Sequence, residues 1–170
     1  MSELRTNRIV PRDGLPAGSS GGIVQIVIGT DNREQINFST SSETTLMTAT
    51  ITPKSTSSKI LVIVTCAGVG AQGGTWWRMR LYKTIGGTKT YLPAIADYVN
   101  LQGDNGDTHY PCTSQIDSPA TTNAVTYTVS GTRWSGSGTC YFNHQGGHSD
   151  EAESNLSLIH ISEPTRQAEI

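Results

Sequence analysis

Residues 59–66, Lys-Ile-Leu-Val-Ile-Val-Thr-Cys, constrain the fold more than any other stretch of this chain. They are β-branched or apolar at nearly every position and are followed by glycines at 68, 70, 73 and 74. The run is too short for a buried helix and far too short to span a bilayer. A strand that is apolar on both faces predicts a central place in a sheet, between two packed layers.

The remaining segments follow a two-residue period. Residues 23–28 read as a strand closed by Gly29, and residues 46–52 place Met47, Ala49 and Ile51 on one face before Pro53 ends them. Residues 76–83 alternate, with Trp77, Met79 and Leu81 on one side and Trp76, Arg78, Arg80 and Tyr82 on the other. Gly86-Gly87 turns this strand into residues 88–92, a hairpin. Residues 113–116, 124–131 (with Val125, Tyr127 and Val129 alternating) and 139–143 complete about eight strands. No segment carries a helical period. Such spacing predicts an all-β fold, an antiparallel β-sandwich or barrel, with the domain spanning residues 23–155.

Composition agrees and excludes several function classes. Only 15% of residues are charged, against about 25% in ordinary domains. Fourteen acidic and twelve basic side chains give a net charge of -2, with no basic stripe for nucleic acid. Polarity comes instead from 41 Ser and Thr. The N-terminus has no apolar segment after its charges, so no signal peptide is expected. Residues 1–22 hold Pro11, Pro16 and Gly18-Ser19-Ser20-Gly21-Gly22 and read as an extended arm. Cys66, Cys112 and Cys140 form no CxxC pair and read as buried free thiols.

Motif matches lack their structural context. Residues 18–22 fit G-x-S-x-G, but a Pro-rich arm precedes them and a strand follows, where a nucleophile elbow needs a strand before and a helix after. Residues 68–73 fit G-x-G-x-x-G, yet lead into a strand and not a phosphate-binding helix. Cys140, His144 and His148 have a ligand-like spacing without a helix or a fourth ligand, so no metal and no cofactor is expected. Asp104-Asn105-Gly106-Asp107 reads as a solvated turn. Asp97, Asp104, Asp107 and Asp117 could supply a glycosidase carboxylate pair, although acids are common in loops. Trp76 and Trp77 are neighbours on a strand and cannot both face one core. Trp76, Arg78, Arg80 and Tyr82 therefore form a candidate subunit interface, with a carbohydrate-stacking platform as the rival.

The C-terminus has a separate origin. Residues 156–166, Leu-Ser-Leu-Ile-His-Ile-Ser-Glu-Pro-Thr-Arg, resemble a transposase sequencing adapter translated in frame, and residues 167–170 match its index and the following codon. On this reading the native protein is interrupted near Asn155, and its last strand, due to start near Ser154, is replaced. The alternation of Leu156, Leu158 and His160 nevertheless suits a strand.

Residues 1–25, with Arg-Thr-Asn-Arg-Ile, then Pro-Arg-Asp-Gly, then Gly-Gly-Ile-Val-Gln, resemble the N-terminus of tailed-bacteriophage fibre proteins. Ile51-Thr52-Pro53 with residues 57–62, and Cys140-Tyr141-Phe142-Asn143, resemble the turn into that family's central strand and its penultimate strand. The resemblance implies a virion structural protein without enzymatic activity: an arm that docks on other virion proteins and a jelly-roll-like β-sandwich head, assembled as a homotrimer. Its expected partners are a host surface glycan or protein, with no nucleic acid and no membrane. The loop from Tyr98 to Pro111 is the expected receptor contact, through Tyr98, Asp104, Asp107, His109 and Tyr110. Capsid decoration without receptor binding and a fibre-borne glycan hydrolase are the alternatives.

Overall fold

The computed structural model describes residues 23–30, 35–66, 68–92, 112–143 and 158–164. Among these are eleven strands and no helix: β1 (Ile23–Thr30), β2 (Ile36–Phe38), β3 (Thr44–Ile51), β4 (Ile60–Thr65), β5 (Val69–Ala71), β6 (Trp76–Ile85), β7 (Thr88–Tyr91), β8 (Cys112–Asp117), β9 (Val125–Ser135), β10 (Cys140–Phe142) and β11 (Leu158–Pro164). Every pairing is antiparallel. One four-stranded sheet has the order β1-β11-β4-β8 and the other β3-β9-β6-β7, while β2-β10-β5 forms a small third sheet. The result is an all-β sandwich, as the alternation predicts.

The core is built from the inward positions of both large sheets. Met47, Ala49 and Ile51 of β3, Trp77, Met79 and Leu81 of β6, and Val125, Tyr127 and Val129 of β9 are all buried. They meet Ile60, Val62 and Val64 of β4. Each of these large apolar side chains contributes about 1.5–3 kcal/mol by leaving water. Phe38, Val69, Ala71, Cys140 and Phe142 of the small sheet extend the same cluster. The β6–β7 turn has both central residues at positive φ, Gly86 at 55° and Gly87 at 83°. Only this mirror-image turn matches the twist of the two strands, and glycine adopts it without strain.

A polar clamp joins the sheets through the core. Asp117, at the end of β8, is buried, and its Oδ1 accepts from Lys83 Nζ of β6 at 2.7 Å. Its Oδ2 accepts from the Tyr127 hydroxyl of β9 at 2.8 Å. At another edge, Gly29 of β1 approaches β3 so closely that a Cβ would lie 2.0 Å from the Thr48 carbonyl oxygen.

Several expectations need correction. The three-residue strands β2 and β5 were not anticipated, since three residues carry too little alternation to register as a period. β9 continues to Ser135, past the expected stop at Gly131, because Gly131 fits under Phe38 and Leu46 without breaking the ladder. Strand β4 is central in its sheet but not sandwiched: Leu61 and Ile63 are only half-buried, and no second layer of described residues covers them. Cys66 and Cys140 are buried, whereas Cys112 is exposed because its strand turns it outward. The slot between β1 and β4 is filled by β11, inside the adapter-like segment and a few residues beyond the expected start. The arm of residues 1–22 lies outside the described residues.

Candidate functional site

Strand β6 puts Trp76, Arg78, Arg80 and Tyr82 on the outer side of its sheet, as its alternation requires, and all four are half-buried. Alternation sends the second indole into the core, where it is 1% exposed, and the register shifts beside it, with Trp134 of β9 as the extra residue. Its Nε1 has no hydrogen-bond partner among the described residues. The two tryptophans thus separate as expected.

The outer face of β6 satisfies itself. Glu43, just before β3, accepts hydrogen bonds from the Tyr82 hydroxyl and from Lys89 Nζ. Arg80 stands 3.9 Å from the same carboxylate. Lys89 lies over the Tyr82 ring at 3.8 Å, Arg80 over the Tyr91 ring at 5.6 Å, and the two tyrosine rings are tilted with centroids 5.7 Å apart. At the far end, Arg78 stacks on Trp134 at 3.9 Å. Ser130 faces outward opposite Arg80 in the ladder and is nonetheless buried, beneath this network.

The electrostatics follow from these contacts. Burial alone would raise the Glu43 carboxyl, but hydrogen bonds from Lys89 and Tyr82, with the charges of Lys89 and Arg80, hold it below its ordinary value. Tyr82 moves the other way, through burial and its bond to the Glu43 carboxylate. The Glu43 carboxylate is thus shared by Arg80, Lys89 and the Tyr82 hydroxyl. Charged groups that meet across an interface lose water, and these would also have to break existing pairs.

Trp134 was not anticipated as a surface aromatic, and it is 58% exposed. Its signal was the alternation continuing beyond Gly131 through Thr132. With Arg78 stacked on it, it forms the one aromatic platform among the described residues of this face that is open to solvent.

The other candidates divide between described and undescribed residues. Tyr98, Asp104, Asp107, His109 and Tyr110, together with Asp97, lie outside the described residues, as do His144 and His148. Cys140 is fully buried between β2 and β5, and burial pushes its thiol up to about 11 against the opposing charge of Arg133. A thiol kept neutral in the core is a poor metal ligand. Asp117 is no loop acid: Lys83 and Tyr127 occupy both of its oxygens. Residues 69–71 form a strand and lead into β6, so the glycine-rich stretch opens no helix.

No family model and no curated protein matches the chain.

Proposed function

We propose that the chain is a virion structural protein of a tailed phage, a homotrimeric tail or head fibre whose sandwich holds loops against a host surface. One observation carries the structural half of this reading. When the three-residue strands are set aside, eight strands remain, and in chain order they run 1-8-3-6 in one sheet and 2-7-4-5 in the other. This order supports a jelly roll, two Greek keys wound together, the kind of head that the resemblance of residues 1–25 implies. A rigid sandwich tolerates loop variation, and three weak sites on one trimer gain avidity without any new contact.

Immunogold electron microscopy of purified particles, with antibody raised against residues 23–143, tests the assignment. Label at fibre tips supports it. Label spread over the capsid surface transfers the protein to decoration, and particles without label reject a virion role.

A further inference from the structure

The exposed large apolar side chains of the described residues are Ile26, Ile28, Ile116 and Trp134. Three of these four lie on the outer face of the β1-β11-β4-β8 sheet. Residues directly opposite each other in an antiparallel ladder point the same way. The register therefore sets Ile26, Leu61 and Ile116 in one row across the sheet, with Ser162 at the β11 position. The next row contains Ile28, Ile63 and Ser114, with His160 at the β11 position. Ile26 is 51% exposed, Ile28 56% and Ile116 64%, while Leu61 and Ile63 are half-buried.

A sheet that faces water on one side alternates apolar inward and polar outward. β1 and β4 break that rule by being apolar on both sides. The face spans four strands spaced about 4.8 Å apart, with about 3.3 Å per residue along them, a footprint on the order of 400 Å². Ser162, His160 and Ser114 interrupt this footprint, and the apolar residues around them still form the kind of exposed cluster that marks a binding surface on a soluble protein.

Charge decides what binds. Outward positions Ile26, Ile28, Leu61, Ile63, Thr65, Cys112, Ser114 and Ile116 carry no charge, Ser162 and His160 hold the β11 positions between them, and Lys59 stands only at the margin. An acidic glycan or a nucleic acid finds nothing to pair with here. A second copy of the same face brings apolar side chains and no like charge. The opposite sheet would instead set Arg78, Arg80 and Lys89 against their own copies.

We infer that the outer face of the β1-β11-β4-β8 sheet, centred on Ile28, Leu61, Ile63 and Ile116, is the surface through which copies of this chain assemble. The face of Trp76, Arg78, Arg80 and Tyr82 stays solvent-facing in that assembly. The inference takes from the proposed function only that the protein self-associates, and it stands whether the oligomer sits on a fibre or elsewhere.

Sedimentation velocity of the full chain measures it, with single substitutions of which those at Ile28, Ile116 and Trp134 lie at positions already exposed in the protomer, so that folding is spared. The wild type should sediment as a multiple of 18.2 kDa. Ile28→Glu and Ile116→Glu should each shift it to the protomer, with unchanged circular dichroism and cooperative urea unfolding whose midpoint no longer depends on protein concentration. Arg80→Glu and Trp134→Glu should leave the oligomer intact. A monomeric wild type at about 100 µM, where a micromolar association is nearly complete, overturns the inference. So does an oligomer that survives both isoleucine substitutions, and so does one dissolved by Arg80→Glu alone. Absence of the protein from particles would reject the virion reading without touching this result.

Discussion

The Tyr127 hydroxyl donates to Asp117 Oδ2 at 2.8 Å, tying β9 of one sheet to β8 of the other through the core. Lys83 completes the contact on the second carboxylate oxygen. Burial and the neighbouring carboxylate both keep the tyrosine protonated. The three groups form a closed polar set between the two sheets.

Removing one member leaves the others unpaired. Asp117→Ala strands the Lys83 ammonium and the Tyr127 hydroxyl in a largely dry site and should destabilise the protein by about 3 kcal/mol. Urea denaturation reads this directly. A double variant, Asp117→Asn with Lys83→Met, removes both charges and should recover more than half of that loss. If the double variant is no more stable than Asp117→Ala, the charge argument is wrong.

Gly29 should tolerate no side chain. An added Cβ would meet the Thr48 carbonyl oxygen and the Ala49 Cβ, and backbone yields less readily than a side-chain tip. Gly29→Ala should cost about 2 kcal/mol or more and loosen β1 first. Hydrogen exchange should show faster exchange of β1 amides, with β3, β6 and β9 still protected. Wild-type stability in this variant would show that the two strands separate easily.

The Glu43 cluster gives a pH dependence with a defined sign. Its carboxyl titrates lower in the folded state than in the unfolded chain, so its contribution is complete above the unfolded value of about 4.3. That contribution disappears as pH falls through the lower folded value. Between about pH 5 and about pH 3, the wild-type urea midpoint should therefore fall further than that of Glu43→Gln. Added salt should shrink the difference, because the cluster lies at the surface. Parallel curves for the two proteins would assign the acid sensitivity elsewhere.

The three thiols should separate by accessibility. Burial pushes Cys66 up to about 12, with a further small contribution from Cys112, and Cys140 up to about 11. Both should resist a disulfide reagent at pH 8 until the protein opens, in dissociated and assembled protein alike. Denaturant should release both together. Fast labelling of Cys66 in the folded protein would mean that β4 opens locally.

Long alternating segments were legible from the residues alone. Trp77, Met79 and Leu81, and Val125, Tyr127 and Val129, reached the core on the faces their spacing assigned. The hairpin at Gly86-Gly87 was equally plain, because two consecutive positive φ values leave few alternatives to glycine. Strands β2 and β5 were invisible for lack of length. The outward side of β6 was also legible, but the partners of its side chains were not. Nothing in the order Trp-Trp-Arg-Met-Arg-Leu-Tyr reveals that Glu43 and Lys89 arrive from other segments to build a network on it. The apolar face across the other sheet was obscured likewise, since Ile28, Ile63 and Ile116 become neighbours only through the register.

Strand β11 sits between β1 and β4, so both of its neighbours are synthesised long before it. Until it arrives, β1 has no described partner within its sheet, and β4 has only β8. During translation the β3-β9-β6-β7 sheet, with its tight β6–β7 hairpin, is the half that can close early. The waiting half exposes two unpaired, apolar strand edges, a state prone to pair with other chains. The slot between β1 and β4 works as a latch, filled in this chain by the adapter-like residues 158–164: yield of soluble protein should depend on the speed and fidelity with which a closing strand slots home.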